Sequence, residues 1–374
     1  MDLIQIKGGN FLEGEISISG SKNASLPMII ASLLTRDKVK IRNIPNLSDV
    51  STLLKLIKSL GSEFELKNED NSSYKLIVQT KEIKNNIASY DLVRKMRASF
   101  WVLAPLILRY GEAKVSLPGG CAIGIRPINF YLSILEKMGA SIKIKDGYVQ
   151  ASIKSNLQPI NYKLDFPSVG VTHFFLMISS LVEGESIIRN AAMEPEIISL
   201  ASMLNKMGAK ITGHGTDKIV INGCSKLKGA DTKIPPDRIE AGTFALAVAT
   251  TGGKLKLKSI NIKEIEILKD VLKNTDVEIK SSENFIEIIK KNRVIHPTDI
   301  ETKPYPGFPT DLQAQFMALM AYSNGKSKIK ESIFENRFMH VPELRRMGAQ
   351  IEIRDKTAII KGPTKLTGAE VMAT

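Results

Sequence analysis

Two patterns of apolar and polar positions alternate along this chain. The first is an amphipathic segment, then a glycine, then two short stretches in which apolar and polar residues alternate. It reads LLKLIKSLGSEFEL from Leu53, LSILEKMGASIKI from Leu132, LASMLNKMGAKIT from Leu200 and VPELRRMGAQIEI from Val341, with a degraded copy, ILKDVLKNTDVEI, from Ile267. The leucine and methionine spacing predicts one helical face, the glycine a left-handed helix end and the alternation a pair of strands. The second pattern is a run of small apolar residues ending in a turn and a strand. Its copies are KNASLPMIIASLLTRDKVKI from Lys22, RASFWVLAPLILRYGEAKVSL from Arg97, VGVTHFFLMISSLVEGESII from Val169, RIEAGTFALAVATTGGKLKL from Arg238 and DLQAQFMALMAYSNGKSKI from Asp311. These runs are apolar nearly all round, which predicts helices buried inside a domain with the amphipathic helices and sheets outside them.

Together the two patterns predict an α/β fold built from a unit repeated about every 70 residues, three units to a domain. The domain boundary is expected between Lys233 and Asp237, where Pro235-Pro236 breaks the chain. A first domain then covers residues 22–235 and a second begins at residue 236. Five copies are visible; a sixth buried helix would begin where KGPTKLTGAEVMAT runs to Thr374. Since each unit needs neighbours to cover its apolar faces, the expectation is a sequence cut short relative to its architecture, the alternative being an open five-unit protein.

Composition narrows the chemistry. The longest apolar run, Ala98 to Leu108, contains Pro105 and is shorter than the roughly 20 residues of a membrane span. The start, MDLIQIKGGN, lacks the apolar core of a secretory leader, so a cytoplasmic location is expected. The two cysteines, Cys121 and Cys224, and the four histidines show no metal-ligand spacing, so no metal is expected. A net charge of +13 points to an anionic partner: nucleic acid, a membrane surface or a phosphorylated small molecule. No basic run with interleaved aromatics favours nucleic acid, and much of the excess is dispersed lysine.

Candidate chemistry concentrates in LPGGCAIGIRP, Leu117 to Pro127, where two prolines and three glycines fall in eleven residues and predict a loop. It holds Cys121 and Arg126. A guanidinium near a thiol draws its pKa toward the working range and makes it a usable acid or nucleophile; the alternative is a small buried hydrophobe. Charged or polar residues also recur at the starts of the buried helices: Lys22 and Asn23, Arg97, Ser168, Asp237 and Arg238, and Asp311. Capping accounts for Ser168 and Asp311. It does not account for Lys22, Arg97 or Arg238, because a cation at a helix start is unfavourable unless an anion is present.

The segments GSKNAS (Gly20 to Ser25), VRKMRASFW (Val93 to Trp101), LPGGCAIGIRP, FPTDLQAQF (Phe308 to Phe316) and FENRFMHVPELRRMGA (Phe334 to Ala349), in this order, resemble the UDP-N-acetylglucosamine 1-carboxyvinyltransferases, a family of enolpyruvyl transferases. The resemblance spans essentially the whole chain. It implies a two-domain fold, each domain a three-fold arrangement of α/β units, with residues 1–21 returning to join 236–374. It implies transfer of the enolpyruvyl group of phosphoenolpyruvate to the 3-hydroxyl of UDP-N-acetylglucosamine with release of phosphate, the first committed step of peptidoglycan synthesis, without metal or organic cofactor, by a protein that is usually a monomer.

Residue by residue, the resemblance makes Cys121 the acid, able to form an adduct with phosphoenolpyruvate and alkylated by fosfomycin. Asp311 becomes the acceptor of the sugar hydroxyl proton, and Lys22, Arg126 and Arg337 the charges around the phosphate and carboxylate, with Asn23 beside Lys22. Arg97, Arg126, Pro127, Ile128, Asn129, Phe130, Phe166, Pro167, Ser168, Val169, Ile333 and Phe334 fall on positions lining the nucleotide-sugar site. Asn129 departs from the family, which commonly has an acid there. Two further arginines of the phosphoenolpyruvate site belong to the family's last unit; a molecule ending at Thr374 is expected to bind phosphoenolpyruvate weakly, turn over little and expose an apolar face. The rival readings are enolpyruvyl transfer to shikimate 3-phosphate, whose family lacks the Gly-Gly-Cys loop, a binding-only relative, and a general nucleic-acid binder.

Overall fold

The small-residue runs form helices, Lys22–Ala31, Leu103–Tyr110, Val169–Ser179, Arg238–Thr251 and Gln313–Met320, and all but Arg238–Thr251 bury most of their length. Ala24 to Ala31 and Val171 to Ser179 are buried without a break. This is a computed structural model describing residues 3–69, 73–118, 128–290 and 294–373. The described residues form two units, one of residues 19–118 and 128–235, the other of residues 3–18 and 236–373, each around its own apolar core. Gly242, inside Arg238–Thr251, shows why small residues recur in such helices: a Cβ there would come within 2.5 Å of Leu312 Cδ1.

The amphipathic copies are the helices Ser48–Ser59, Asn129–Lys137, Pro195–Met207, Glu266–Leu272 and Val341–Arg346. Gly61, Gly139, Gly208 and Gly348 follow four of them at φ between 102° and 112°, the left-handed region glycine enters freely. In the degraded copy Asp276 holds that place at φ 52°, after a 3₁₀ turn, Lys273–Thr275. Asp is among the few residues with a side chain that tolerates it.

Two of the buried helices start later than their patterns suggest. Arg97–Val102 is a 3₁₀ segment and the α-helix begins at Leu103, because Pro105 offers no N–H to the carbonyl of Trp101 and its ring crowds that turn. Thr310–Leu312, directly after Pro309, is likewise a 3₁₀ turn, and the α-helix begins at Gln313.

Five four-stranded sheets occur among the described residues, one per repeat. The two strands after each helix-ending residue form an antiparallel hairpin, as the alternation predicts, for example Glu63–Asn68 with Ser73–Gln79. The strand after each buried helix joins that hairpin, and a short parallel strand completes the edge. Those parallel strands come from elsewhere in the chain. Ile87–Ala88, Asn161–Lys163 and Ile300–Glu301 immediately precede their repeats and make βαβ crossovers around the buried helix. Asp231–Lys233 pairs with Val39–Pro45, and Leu12–Ser17 pairs with Gly253–Lys258. No helix among the described residues is long and apolar enough to cross a membrane.

His173, in Val169–Ser179, is fully buried with its ring edge-on to Trp101, centroids 5.3 Å apart. Burial pushes its pKa down to about 4, against a smaller upward pull from the backbone of Glu196. The unfolded chain therefore takes up this proton near pH 6.5 and the folded protein only near pH 4. The stabilisation belonging to the neutral ring is complete above that window and is lost as pH falls through it, at up to about 1.4 kcal/mol per pH unit. Urea midpoints from pH 7.5 to pH 4.5 are expected to fall less steeply for His173→Phe than for the unaltered chain; equal slopes would remove His173 from the account.

Candidate active site

In the unit of residues 19–118 and 128–235, Lys22 and Asn23 open the first buried helix. Ser21 caps it, accepting from Ala24 N at 3.3 Å, and its own N–H donates to Pro235 O at 2.8 Å. Gly20 lets the chain enter, since a Cβ there would lie 1.9 Å from Asn43 O. Lys22 Nζ stands 3.8 Å from Asp49 Oδ2, a loose pair with both side chains at least one-third exposed. Asp49 lies in the first turn of Ser48–Ser59. An acid from a neighbouring helix thus offsets the lysine that its own helix dipole disfavours, while the ammonium remains half-exposed.

Arg97 is the half-buried first residue of the 3₁₀ segment. The residues after it anchor the helix that follows Ile128. Tyr131 packs edge-on between Phe100 and Phe174, at 5.5 and 5.2 Å, and its hydroxyl accepts from Trp101 Nε1 at 3.4 Å. Gly170 completes the fit, because a Cβ there would be 2.6 Å from Tyr131 Oη. This ring cluster joins Arg97–Val102, Asn129–Lys137 and Val169–Ser179. On them sit Ile128, half-buried, Asn129, exposed, and Phe130, whose ring meets Phe166 edge-on at 5.4 Å. Phe166 is 51% exposed, an unusual state for a phenyl ring and one suited to covering a flat ligand. Pro167 and Val169 are half-buried, and Ser168 caps its helix as expected, accepting from Val171 N at 3.4 Å. Within this unit the structure therefore brings Phe130, on Asn129–Lys137, into contact with Phe166, in the loop that leads through Ser168 into the helix beginning at Val169.

In the other unit Arg337 donates to Asp311 Oδ1 at 2.8 Å, and its guanidinium lies 5.7 Å from the centre of the Phe334 ring. Asp311 does not cap its helix, contrary to the capping reading: the cap position falls on Leu312, which makes no side-chain bond to the helix. Its carboxylate is turned to Arg337 instead. The N–H groups of Ile333 and Phe334 both donate to Glu331 Oε1, at 2.9 and 3.2 Å. His340 is held neutral near this arginine; burial first and the Arg337 charge second push its pKa down to about 4. At Arg238 the preceding Asp237 accepts from Ile239 N at 2.8 Å and Glu240 N at 3.1 Å, so that helix start is occupied by its own cap.

Cys121, Arg126 and Pro127 lie outside the described residues. Among the described residues no group of three or more His, Cys, Asp or Glu side chains is placed to hold a metal ion.

The family described as EPSP synthase (3-phosphoshikimate 1-carboxyvinyltransferase) matches residues 6–374. Full-length relatives separate the activities within that fold. A UDP-N-acetylglucosamine 1-carboxyvinyltransferase of Chelativorans sp. (strain BNC1) is 48% identical, across all of this chain and 88% of its own length. One of the same name from Brucella ovis is 47% identical over the same shares. The chain belongs to the UDP-N-acetylglucosamine 1-carboxyvinyltransferase family. Solved enolpyruvyl transferases share its fold: NikO from Streptomyces tendae, at 21% identity, has a TM-score of 0.86 over 96% of this chain and 84% of NikO. EPSP synthase from Acinetobacter baumannii, at 20% identity, has a TM-score of 0.68 over 96% and 83%.

Three residues beside the family's motif positions escape a reading of the sequence alone. Asp49 is signalled only as a first-turn acid, which a cap or surface charge would also explain. His340 looks like any histidine on an amphipathic helix. Glu331 follows a strand of alternating lysines, Lys326–Lys330, and reads as a solvated charge, yet it is 2% exposed.

Proposed function

We propose that this protein transfers the enolpyruvyl group of phosphoenolpyruvate to the 3-hydroxyl of UDP-N-acetylglucosamine and releases phosphate, as a cytoplasmic monomer. The product feeds peptidoglycan and cell-wall biogenesis, and with it cell shape and division. The observation that carries this reading is 48% identity to a protein of that name over the whole chain. The intact Gly119-Gly120-Cys121 sequence supports it against shikimate 3-phosphate as acceptor.

The reaction needs a proton delivered to the methylene carbon of phosphoenolpyruvate while the sugar oxygen bonds to the adjacent carbon. Cys121 delivers it and Asp311 takes the proton leaving the 3-hydroxyl. The addition product then loses a methyl proton and expels phosphate, which restores the carbon–carbon double bond. Lys22, Arg126 and Arg337 supply positive charge for the phosphate and carboxylate; Arg337 also orients Asp311 through its 2.8 Å bond. Arg97, Arg126–Phe130, Phe166–Val169, Ile333 and Phe334 bind the nucleotide sugar, the exposed Phe166 ring against Phe130 covering its flat portion. Asn129, where the family commonly has an acid, keeps a hydrogen-bonding group there without the charge.

Phosphate release tests the reading, with phosphoenolpyruvate offered alongside either UDP-N-acetylglucosamine or shikimate 3-phosphate. Release with the nucleotide sugar alone is expected. Release with shikimate 3-phosphate, or with neither acceptor, would overturn it.

A further inference from the structure

Glu331 is a buried carboxylate with no cation within ion-pair distance among the described residues. Such a group is costly unless hydrogen-bond donors surround it. Four do. Oε1 accepts from Thr302 Oγ1 at 2.8 Å and from the Ile333 and Phe334 N–H groups; Oε2 accepts from Thr310 Oγ1 at 2.9 Å. Thr302 Oγ1 in turn accepts from Ser332 N at 2.9 Å, so three successive amides, 332 to 334, are gathered on one hydroxyl–carboxylate pair. The backbone of Glu331 is itself tied down, its N–H donating to Lys356 O at 2.8 Å.

Three of these donors, Thr310, Ile333 and Phe334, lie on the two segments that carry the proposed chemistry of this unit. Thr310 immediately precedes Asp311. Ile333 and Phe334 are the nucleotide-sugar positions, and the Phe334 ring faces the guanidinium that holds Asp311. We propose that Glu331 is a positioning residue, its Oε2 setting the turn that aims Asp311 and its Oε1 setting the backbone that receives the nucleotide sugar. This rests on the functional reading above. The two oxygens therefore act on different kinetic constants.

Single-contact variants separate them. Thr310→Val removes only the Oε2 bond and is expected to lower kcat about 10-fold or more with KM for UDP-N-acetylglucosamine within about twofold. Thr302→Val removes the hydroxyl joining Oε1 to Ser332 and is expected to raise that KM about 10-fold with the smaller effect on kcat. Glu331→Ala loses both effects at once, about 100-fold or more in kcat/KM. Glu331→Gln keeps a carbonyl oxygen for the amides and can donate to the Thr310 hydroxyl, so it is expected to recover most of the rate. Thermal melts fix a temperature at which each variant is folded; should Glu331→Ala not fold, the two threonine variants decide. Equal movement of kcat and KM in both, or unchanged constants with only a lower Tm, would reduce Glu331 to a structural role. An unaltered chain that turns over, with Asp311→Ala inactive and Thr310→Val normal, would sink this proposal alone; no turnover in the unaltered chain would sink the functional reading and this proposal with it.

Discussion

Replacing Asp311 by alanine is expected to lower kcat about 10²- to 10⁴-fold, while UDP-N-acetylglucosamine binding stays measurable by calorimetry. Arg337 occupies Oδ1, no other described side chain takes Oδ2, and the carboxylate is 39% exposed. One oxygen is thus held and the other is available to a ligand hydroxyl, the arrangement a proton acceptor needs. Asp311→Asn sharpens the test, because it keeps size and shape but cannot take a proton at the substituted atom. It should be about as slow as alanine. A rate near that of the unaltered chain in the asparagine variant would show Asp311 to be a hydrogen-bonding group only, and loss of nucleotide-sugar binding would move its role from chemistry to binding.

Cys121→Ala is expected to abolish alkylation by an epoxide phosphonate such as fosfomycin and to slow turnover about 10²- to 10⁴-fold. The chain supplies its own comparison. Cys224, the other thiol, is partly buried and donates to Ser180 O at 3.6 Å and Lys226 O at 3.3 Å. Arg126, five residues on in the sequence, is the group expected to draw the Cys121 thiol toward reactivity. Intact mass spectrometry should therefore show a single adduct in the unaltered protein, the same adduct in Cys224→Ala, and none in Cys121→Ala. An adduct persisting in Cys121→Ala would contradict the assignment.

What could be read from the sequence follows from what leaves a periodic or punctuated trace. Helix-ending glycines such as Gly61 and Gly208 did, and so did the hairpin alternation after them. The parallel edge strands did not: Ile87–Ala88 and Ile300–Glu301 have two residues each, too few for any period to show. Arg97 was placed correctly at the start of a buried segment but on the wrong kind of helix, because the effect of Pro105 is felt in the turn before it. Among the site residues, motif positions such as Lys22, Asp311 and Arg337 stood out through resemblance. Their immediate partners did not, since Asp49 meets Lys22 and Glu331 meets Thr302 only after separate segments have folded together. Capping was a reasonable local account of Asp311, and it lost to a longer-range one when Arg337 offered a charged donor.

The pairing of Leu12–Ser17 with Gly253–Lys258 has a consequence for biosynthesis. The strand is made before the other unit, but the edge it must join is not made until the whole of that unit has been synthesised. At about 5–20 residues per second, that is a wait of roughly ten seconds or more, during which Leu12 and Ile16 have no sheet to cover them. The unit of residues 19–118 and 128–235 lacks this dependence on the other unit, since Asp231–Lys233 closes its sheet from within. A nascent chain is therefore expected to fold that unit first and to bring Leu12–Ser17 onto Gly253–Lys258 afterwards, leaving the Leu12–Ser17 segment the natural target of a ribosome-associated chaperone in the interval.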